Sequence, residues 1–519
     1  MSWLLVLPLL VPLSTGILCL VLPGRTAQRA LGLAGAMGLL AAASALLIQV
    51  HRQGIQAVQI GNWPAPFGIT FVADHLSALM VLITGVVAVA VALFALAEDD
   101  RPREGLGYYA LGHLLLFGVN GAFLTGDLFN LYVWFEVLLL ASFVLMVLGG
   151  GQAQLAGGVR YFAVSLLSSI LFLMAVGLLY GATGALNMAD LALRVGSVHP
   201  GLLSALSMLF LVAFGLKAAV FPFFFWLPAS YPAPPVMVSA LFAGLLTKVG
   251  VYALIRVFTL LFTQDTGFTH NLILWIAGLT LLLGVLMALA QGELKQLLSF
   301  QLVSHIGYML MGLGILTPLA LAGSVFYALN HMMVIAALFL LAGLLQRLQG
   351  TTVLVQMGGL YRPYPWLAVL FLLPAFSLAG LPPFSGFWAK YTLVAAGLQA
   401  GQYGIVGVAL LVGLLTLLSM SLVFAEVFWK NAPQRAAVGR DGASTLHPGD
   451  DPLRDSASTV HPPAASGGWQ GLVLPVGLLA ALILGIGLWA EPLLSLSQTA
   501  ARELLEPTGY IQAVLGVGR

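Results

Sequence analysis

Charge is scarce in this chain of 519 residues: only 7% are Asp, Glu, Lys or Arg, whereas 60% are hydrophobic. Soluble proteins carry about 25% charged residues, so the composition predicts a polytopic membrane protein. The net charge of +2 gives no basis for nucleic-acid binding. Cys19 is the single cysteine, which excludes an internal disulfide and an iron–sulfur cluster held by cysteines. We therefore expect no redox cofactor.

Long apolar runs, in contrast, are abundant. A transmembrane helix needs about 20 apolar residues, and by this criterion the sequence predicts an all-α fold of about 14 spans. The predicted spans are 3–22, 30–50, 72–97, 108–125, 128–149, 159–182, 202–228, 233–262, 271–290, 294–315, 319–346, 365–399, 404–429 and 470–490. The first run lacks a basic region before it, so we interpret it as a span and not as a cleaved signal peptide.

Lys and Arg are distributed unevenly between the two sides of these spans. With the N-terminus outside, the inner side carries 12 of the 20 Lys and Arg, the outer side 5, and the spans 3. Because positively charged loops stay in the cytoplasm, we expect a multi-pass protein of the cell inner (plasma) membrane. Both termini are then on the periplasmic or extracellular side.

Six titratable side chains lie inside separate apolar segments, where a charge costs at least about 2.5–3.5 kcal/mol. They are Glu136, Lys217, Lys248, His305, His331 and Lys390. Desolvation helps a lysine to release its proton, and histidine titrates near neutral pH. Glu136 beside Lys217 would hold the proton on the lysine until the two groups separate. The pattern predicts a proton path, with waters and the hydroxyls of Thr247, Ser304 and Tyr308 bridging its gaps.

Buried titratable residues, and three other carboxylates of the chain, also have purely structural interpretations. An intramembrane lysine can be an ion-pair partner, and a buried histidine can be a packing residue with satisfied ring nitrogens. Asp74 and Asp127 lie near predicted span ends, which favours interfacial hydration. Glu426 lies four residues before Lys430, which favours an ion pair within one helix.

Two spans combine a lysine with prolines, and proline interrupts helical hydrogen bonding. Span 7 contains Lys217 and span 12 contains Lys390, so both are predicted to be broken helices. Their prolines are Pro222 and Pro228 in span 7 and Pro374, Pro382 and Pro383 in span 12. Lys217 and Lys390 are 173 residues apart, and Glu136 and His305 are 169 residues apart. These similar separations predict two five-span repeats, spans 4–8 and 9–13, with opposite orientation in the membrane.

The predicted organisation has five parts. They are an N-terminal three-helix region (1–107), a first repeat (108–262), a second, inverted repeat (271–430), a polar cytoplasmic loop (431–468) and a final transmembrane helix with a tail (469–519). The loop is the most polar stretch of the chain and contains several Pro, Gly and Ser residues, as surface linkers do.

Four segments resemble motifs of the antiporter-like subunits shared by respiratory complex I and Mrp-type cation/proton antiporters. They are Gly126–Phe143, Gly215–Pro235, Leu245–Tyr252 and Gly380–Lys390. Within this family the chain is most similar to the D subunits of Mrp multisubunit Na⁺/H⁺ antiporters. Lys390 fits that subfamily, because the M subunits of bacterial complex I usually have a glutamate there.

The resemblance implies a role for each of the six residues. Glu136 and Lys217 would form the ion pair and Lys248 the central relay. His305 and His331 would be carriers and Lys390 the terminal group. It also implies partners: other membrane subunits of a hetero-oligomeric antiporter complex, the lipid bilayer, H⁺, and Na⁺ or K⁺. The sequence does not identify the cation or its site, since it shows no cluster of intramembrane carboxylates, and a cation path wholly or partly in a partner protein stays open.

Two other functions remain open at this point. In complex I or a membrane-bound hydrogenase, electron transfer in other subunits would drive the same relay. Neighbouring genes separate these cases: small membrane subunits indicate an Mrp complex, whereas iron–sulfur and nickel subunits indicate a redox complex. A stand-alone transporter of an organic solute would need a roomy polar pocket at the membrane midplane, where this chain offers a line of titratable groups instead.

Overall fold

The computed structural model describes residues 3–22, 24–98, 104–431 and 469–516, and these are mostly helical. The helices are α1 (Trp3–Val21), α2 (Arg25–Gln53), α3 (His75–Ala97), α4 (Tyr108–Leu124), α5 (Leu128–Val147), α6 (Gln152–Thr183), α7 (Met188–Arg194), α8 (Pro200–Ala218), α9 (Trp226–Ser230), α10 (Val236–Leu260), α11 (Thr266–Leu289), α12 (Leu294–Ile315), α13 (Pro318–Gln349), α14 (Pro365–Ala379), α15 (Ser385–Gln399), α16 (Tyr403–Phe424), α17 (Gln470–Leu488), α18 (Glu491–Leu505) and α19 (Thr508–Leu515). Apart from Asn431, the predicted loop 431–468 lies outside the described residues.

Twelve of the helical segments that the structure describes are long and apolar enough to span a membrane. The other two predicted spans correspond to shorter helices. Helix α4 has 17 residues, and predicted span 12 is divided into α14 and α15 of 15 residues each. The helical polytopic fold is therefore confirmed, whereas the number of 14 crossings stays a prediction.

Helices α10 and α13 form the centre of the molecule and pack against each other. Every residue of α10 is buried, and so are residues 320–345 of α13. A helix that is apolar all round belongs inside a bundle, which explains the absence of an amphipathic pattern in both. Helices at the periphery, such as α6, expose large side chains including Leu166 and Ile170, the kind of surface that lipid covers. Polar groups on α10 and α13 are thus shielded from lipid by protein.

The break after α8 is a helix C-cap with the chain in the left-handed region. Ala219 has φ 58° and ψ 49°, which is uncommon for a residue with a side chain. The amide of Val220 donates a hydrogen bond of 3.1 Å to the carbonyl of Gly215. This six-residue closure stops the helix and satisfies one of its last carbonyls. The chain resumes in the short helix α9.

The break after α14 has the same backbone pattern. Gly380 has φ 89° and ψ 38°, and the amide of Leu381 donates to the carbonyl of Phe376 at 3.0 Å. Both predicted broken helices are therefore present. The left-handed residues are 161 positions apart (380 − 219), not 173. Lys217 lies two residues before its break and Lys390 ten residues after its own, so the lysines belong to different halves of their broken helices, and the two five-span repeats stay a prediction.

One end of the molecule carries an antiparallel hairpin, and we call it the hairpin end. Its strands are β1 (Gln56–Gln59) and β2 (Thr70–Ala73), the one departure from the helical fold class among the described residues. The C-terminal helices return to this end. Helix α18 packs against α3 and α13, and the side chain of Gln59 donates a hydrogen bond of 3.3 Å to the carbonyl of Val514. The C-terminal segment therefore covers this end of the bundle.

Candidate functional site

Glu136 and Lys217 lie on neighbouring helices, α5 and α8, and both are half-buried. The ammonium of Lys217 is 5.5 Å from the ring centre of Phe135, and the Glu136 carboxylate is close enough to interact with it electrostatically. In the described part of the chain, however, neither Glu136 Oε1 nor Lys217 Nζ has a hydrogen-bond partner. The predicted ion pair is thus present as two neighbouring charges and not as a contact.

Lys248 is fully buried in the middle of α10. Its ammonium donates a hydrogen bond of 2.6 Å to the carbonyl of Ala243, one turn earlier in the same helix. The hydroxyl of Thr247 beside it has no partner among the described residues. A little further along α10, Gly250 packs on the backbone of α8, where an added Cβ would lie 2.6 Å from the amide nitrogen of Ala218. This close approach brings the Lys217 segment alongside the Lys248 segment.

His305, on α12, has a carbonyl oxygen beside each ring nitrogen. Nδ1 lies 2.7 Å from the carbonyl of Gln301, and Nε2 lies 3.3 Å from the carbonyl of Leu378 at the end of α14. A carbonyl oxygen only accepts hydrogen bonds, so each contact needs an N–H group. Neutral imidazole has one N–H and satisfies one contact, whereas imidazolium satisfies both. A proton on either ring nitrogen would therefore meet a hydrogen-bond acceptor.

His331, on α13, lies next to His305, and the two rings stack with centroids 5.5 Å apart and planes 19° apart. His331 is fully buried, and neither of its nitrogens has a partner among the described residues. The side-chain amide of Gln301, one turn before His305, is likewise buried without a partner. Buried polar atoms without a protein partner are the usual positions of ordered water. Sequence reasoning missed Gln301, although its spacing of four from His305 places both on one helix face.

Lys390 reaches from α15 back to the preceding half-helix. Its ammonium donates a hydrogen bond of 2.9 Å to the carbonyl of Ala379, the last residue of α14, and lies 4.6 Å from the ring centre of Tyr308. The carboxyl end of a helix carries partial negative charge and favours a cation. Lys217 itself is a residue of the last turn of α8. Both lysines are thus associated with the carboxyl end of the first half of a broken helix, although only the Lys390 ammonium is bonded to a carbonyl there.

Only one of the three hydroxyls expected to bridge the path is available in the structure. Ser304 donates to the carbonyl of Leu281 at 2.7 Å, and Tyr308 donates to the carbonyl of Ala409 at 2.6 Å. Both hydrogens are therefore engaged in bonds between helices. Of the three, Thr247 alone has no partner among the described residues.

The structure brings the six predicted residues into two groups. Glu136 and Lys217 form the first, and the second contains the two histidines with Lys390, joined through the ring of Tyr308, which lies 5.7 Å from His305. Lys248 lies between them and interacts electrostatically with both histidines.

Two carboxylates near helix ends depart from the sequence interpretation. Asp74 is buried and forms an ion pair of 2.5 Å with Arg256, which lies inside α10 and not in a loop. Asp127 is also buried, and it caps α5 by accepting a hydrogen bond of 2.7 Å from the amide of Asn130. Interfacial hydration is therefore wrong for both. The predicted pair of Glu426 with Lys430 is confirmed, at 2.8 Å.

Titratable groups held inside a helical bundle, at the breaks of two discontinuous helices, define a class of membrane protein that moves ions between two aqueous phases. The chain belongs to the family described as NADH:quinone oxidoreductase/Mrp antiporter membrane subunits, whose model matches residues 125–416.

Full-length relatives support this membership. The chain is 44% identical to the D subunit of the Na⁺/H⁺ antiporter of Alkalihalophilus pseudofirmus, with 99% of this chain and 100% of the relative covered. It is similar in structure to a chain of the Mrp complex from Dietzia sp. DQ12-45-1b, with a TM-score of 0.88, 35% identity and coverage of 99% and 100%. A chain of respiratory complex I from Thermus thermophilus matches with a TM-score of 0.79, 26% identity and coverage of 96% and 99%.

Proposed function

We propose that this chain is the proton-translocating component of a multisubunit antiporter that exchanges H⁺ for a monovalent cation, Na⁺ or K⁺, across the cell inner membrane. The observation that carries the proposal is the set of six buried or half-buried titratable groups in two clusters joined by Lys248, with several polar atoms of these clusters free to bind water. The relative from Alkalihalophilus pseudofirmus, which is named as a Na⁺/H⁺ antiporter component and matches over its whole length, supports the same function.

In the proposed path, Glu136 sets the charge of Lys217. While the carboxylate is near, the ammonium form of Lys217 is favoured; when the groups separate, burial promotes proton release to Lys248. From Lys248 the proton passes through water to His331 and His305, and then to Lys390 at the second helix break. Each transfer is between groups that carry one exchangeable proton, and no step makes or breaks a covalent bond in a substrate. We therefore infer a transporter component and not an enzyme.

The proposed organisation follows from the same arrangement. Residues 108–262 and 271–430 would be two inverted repeats, each with one broken helix, preceded by the three-helix region 1–107 and followed by the segment 469–519. The shared cap at the two breaks supports this division. The excess of Lys and Arg on one side supports placing both termini outside the cytoplasm.

Antiport in inverted membrane vesicles tests the proposal. We expect cation-dependent proton exchange when this chain is expressed with its neighbouring membrane subunits, and nearly complete loss in Glu136→Ala at equal membrane abundance. Omission of the neighbouring subunits shows whether the cation path needs them. Exchange at the wild-type rate in Glu136→Ala would remove this residue from the mechanism.

The alternative is a proton pump powered by electron transfer in neighbouring subunits, which the similarity to complex I favours. The two functions differ in their energy source. Exchange driven by a Na⁺ or K⁺ gradient without an electron donor supports the antiporter, whereas proton movement only in the presence of an electron donor supports the redox complex.

A further inference from the structure

The Asp74–Arg256 pair is a buried charge pair for which the proposed proton path has no role. The distance between Arg256 Nη2 and Asp74 Oδ2 is 2.5 Å, and the side chains are 5% and 2% exposed. Asp74 also accepts a hydrogen bond of 2.9 Å from the amide of Ser77 as the cap of α3. The Ser77 hydroxyl donates a further hydrogen bond of 2.9 Å to the same carboxylate, so both the guanidinium and Ser77 favour its ionised form. Asp74 is therefore a fixed anion.

Two tyrosine rings surround the guanidinium. Its central carbon lies 5.5 Å from the ring centre of Tyr252 and 5.2 Å from that of Tyr510, which belongs to α19. Arg256 also donates to the Tyr252 hydroxyl at 3.4 Å, and this hydroxyl donates to the carbonyl of Phe123 at 2.7 Å. The charge is thus enclosed by side chains from α3, α10 and the C-terminal segment. Water has little access to it.

Arg256 shares its helix with Lys248. Lys248, Tyr252 and Arg256 are spaced by four residues along α10, so they follow one side of the helix. Along the helix axis, the Cα of Arg256 lies about 12 Å beyond that of Lys248, toward the hairpin end. Beyond Arg256 the chain reaches the surface: His75, one residue after Asp74, contacts the partly exposed Glu503, and His51 is exposed. The pair therefore lies between Lys248 and the aqueous phase at the hairpin end.

We propose that the Asp74–Arg256 pair is an electrostatic seal that closes the direct route from Lys248 to the hairpin end, so that a proton on Lys248 leaves only toward His305 and His331. The inference rests on the proposed function. Arginine does not release its proton in proteins and therefore cannot relay one. Because Asp74 offsets the charge of Arg256 at a distance, repulsion of a hydronium or metal cation acts only close to the guanidinium. Asp74 offsets the cost of burying that charge without itself becoming a carrier.

The variant Arg256→Lys, measured in the full complex, distinguishes a pair that acts as a seal from a pair that is purely structural. Lysine keeps the charge and can still pair with Asp74, so a structural pair would tolerate it, but lysine can release a proton. In proteoliposomes with an imposed pH gradient and choline as the only external cation, we expect the gradient to collapse about tenfold faster than with wild type. The double variant Arg256→Lys/Lys248→Ala should lose this leak, because the leaking proton comes from Lys248. The exposed Arg502 gives the control: Arg502→Lys should not leak.

Two outcomes overturn the inference: wild-type permeability in Arg256→Lys, or a leak that persists in the double variant. If Arg256→Lys does not assemble, the charge-neutral variant Asp74→Asn/Arg256→Met takes its place, since replacing a buried pair by uncharged residues is often tolerated. Proton permeability equal to that of the wild type in this variant would also overturn the inference. Failure of the proposed function is distinct, because Lys248→Ala alone would then leave cation-dependent exchange intact.

Discussion

The intramembrane lysines differ from the intramembrane arginine in what they contact. Lys248 and Lys390 donate to backbone carbonyls, at 2.6 and 2.9 Å, and Lys217 lies over an aromatic ring. Arg256 alone of these four is bonded to a carboxylate. A neutral carbonyl binds an ammonium group less tightly than a carboxylate does. Less interaction energy is therefore lost when a lysine bonded to a carbonyl becomes neutral. The contacts therefore suit lysines that give up protons and an arginine that does not.

Substitution of Lys217 tests this distinction. Lys217→Ala removes the proton carrier, and Lys217→Arg keeps the positive charge but not the ability to release a proton. We expect both variants to lose cation-dependent exchange by about tenfold or more, measured in vesicles containing equal amounts of the complex. Full activity in Lys217→Arg would show that this position needs only a positive charge.

Substitution of Lys390 tests the end of the path. Lys390→Ala should block exchange at every pH. In Lys390→Glu the new side chain would face the carbonyl of Ala379, to which only a protonated acid can donate. Partial activity should therefore appear at low pH and decline as the pH rises. Antiport measured across a pH series for both variants checks this, and wild-type exchange in Lys390→Ala would mean that the path leaves the protein before α15.

Asp127 gives a prediction for stability. Burial raises the pKa of Asp127 to about 6, although backbone hydrogen bonds at residues 129 and 130 oppose the shift. Because the folded pKa lies above the unfolded value of 3.8, the stabilising contribution is complete below about pH 4 and is lost as the pH rises through about 6. Asp127→Asn keeps a capping side chain without this titration. The melting temperature of Asp127→Asn minus that of the wild type should therefore increase between pH 4 and 7. A difference that stays constant over this range would indicate a hydrated carboxylate in the wild type.

At the scale of elements, the positions of the helices are largely a local property of the sequence. Apolar runs predicted the membrane helices, and the prolines predicted where two of them break. The half of each broken helix that holds the lysine was not predictable, because the break after α8 depends on a left-handed Ala219, and local sequence gives no signal for it. The Asp74–Arg256 pair was missed because its partners are 182 positions apart (256 − 74) and each resembles an ordinary helix-end residue.

The approach of α10 to the break in α8 depends on Gly250. A Cβ added at Gly250 would lie 2.6 Å from the amide nitrogen of Ala218 and 3.0 Å from the carbonyl carbon of Lys217, both rigid backbone atoms. We expect Gly250→Ala to push the helices apart, to destabilise the protein by about 1–3 kcal/mol and to slow transfer from Lys217 to Lys248. Thermal unfolding and antiport measure these effects.

The matched control is Gly177→Ala in α6, where an added Cβ would have no atom within 4 Å. Because alanine favours helix more than glycine does, this variant should be neutral or slightly more stable. Equal behaviour of the two variants would refute the role of close packing at Gly250.

At the scale of the whole molecule, a contact between distant parts of the chain fastens the C-terminal segment over the hairpin end. Glu503 accepts hydrogen bonds from the amide of His75 at 2.9 Å and contacts the His75 ring at 2.7 Å. Glu503→Gln replaces one of the two acceptor oxygens by a donor, so we expect a loss of about 1–2 kcal/mol of stability. Glu506→Gln, at an exposed position, is the control. Equal melting temperatures for the two variants would show that this contact does not hold the segment.

The contacts described for Lys217, Lys248, Lys390 and Arg256 also share a direction along the chain. Lys248 bonds to Ala243, Arg256 to Asp74, and Lys390 to Ala379, while Lys217 lies by Phe135 and Glu136. In each of these contacts the partner comes earlier in the sequence than the cation, although the Tyr510 ring beside Arg256 comes later. During synthesis from the N-terminus, each of these positive charges therefore enters the membrane after its partner has been made. Each cation of this set can therefore meet this earlier partner before the rest of the chain has been translated.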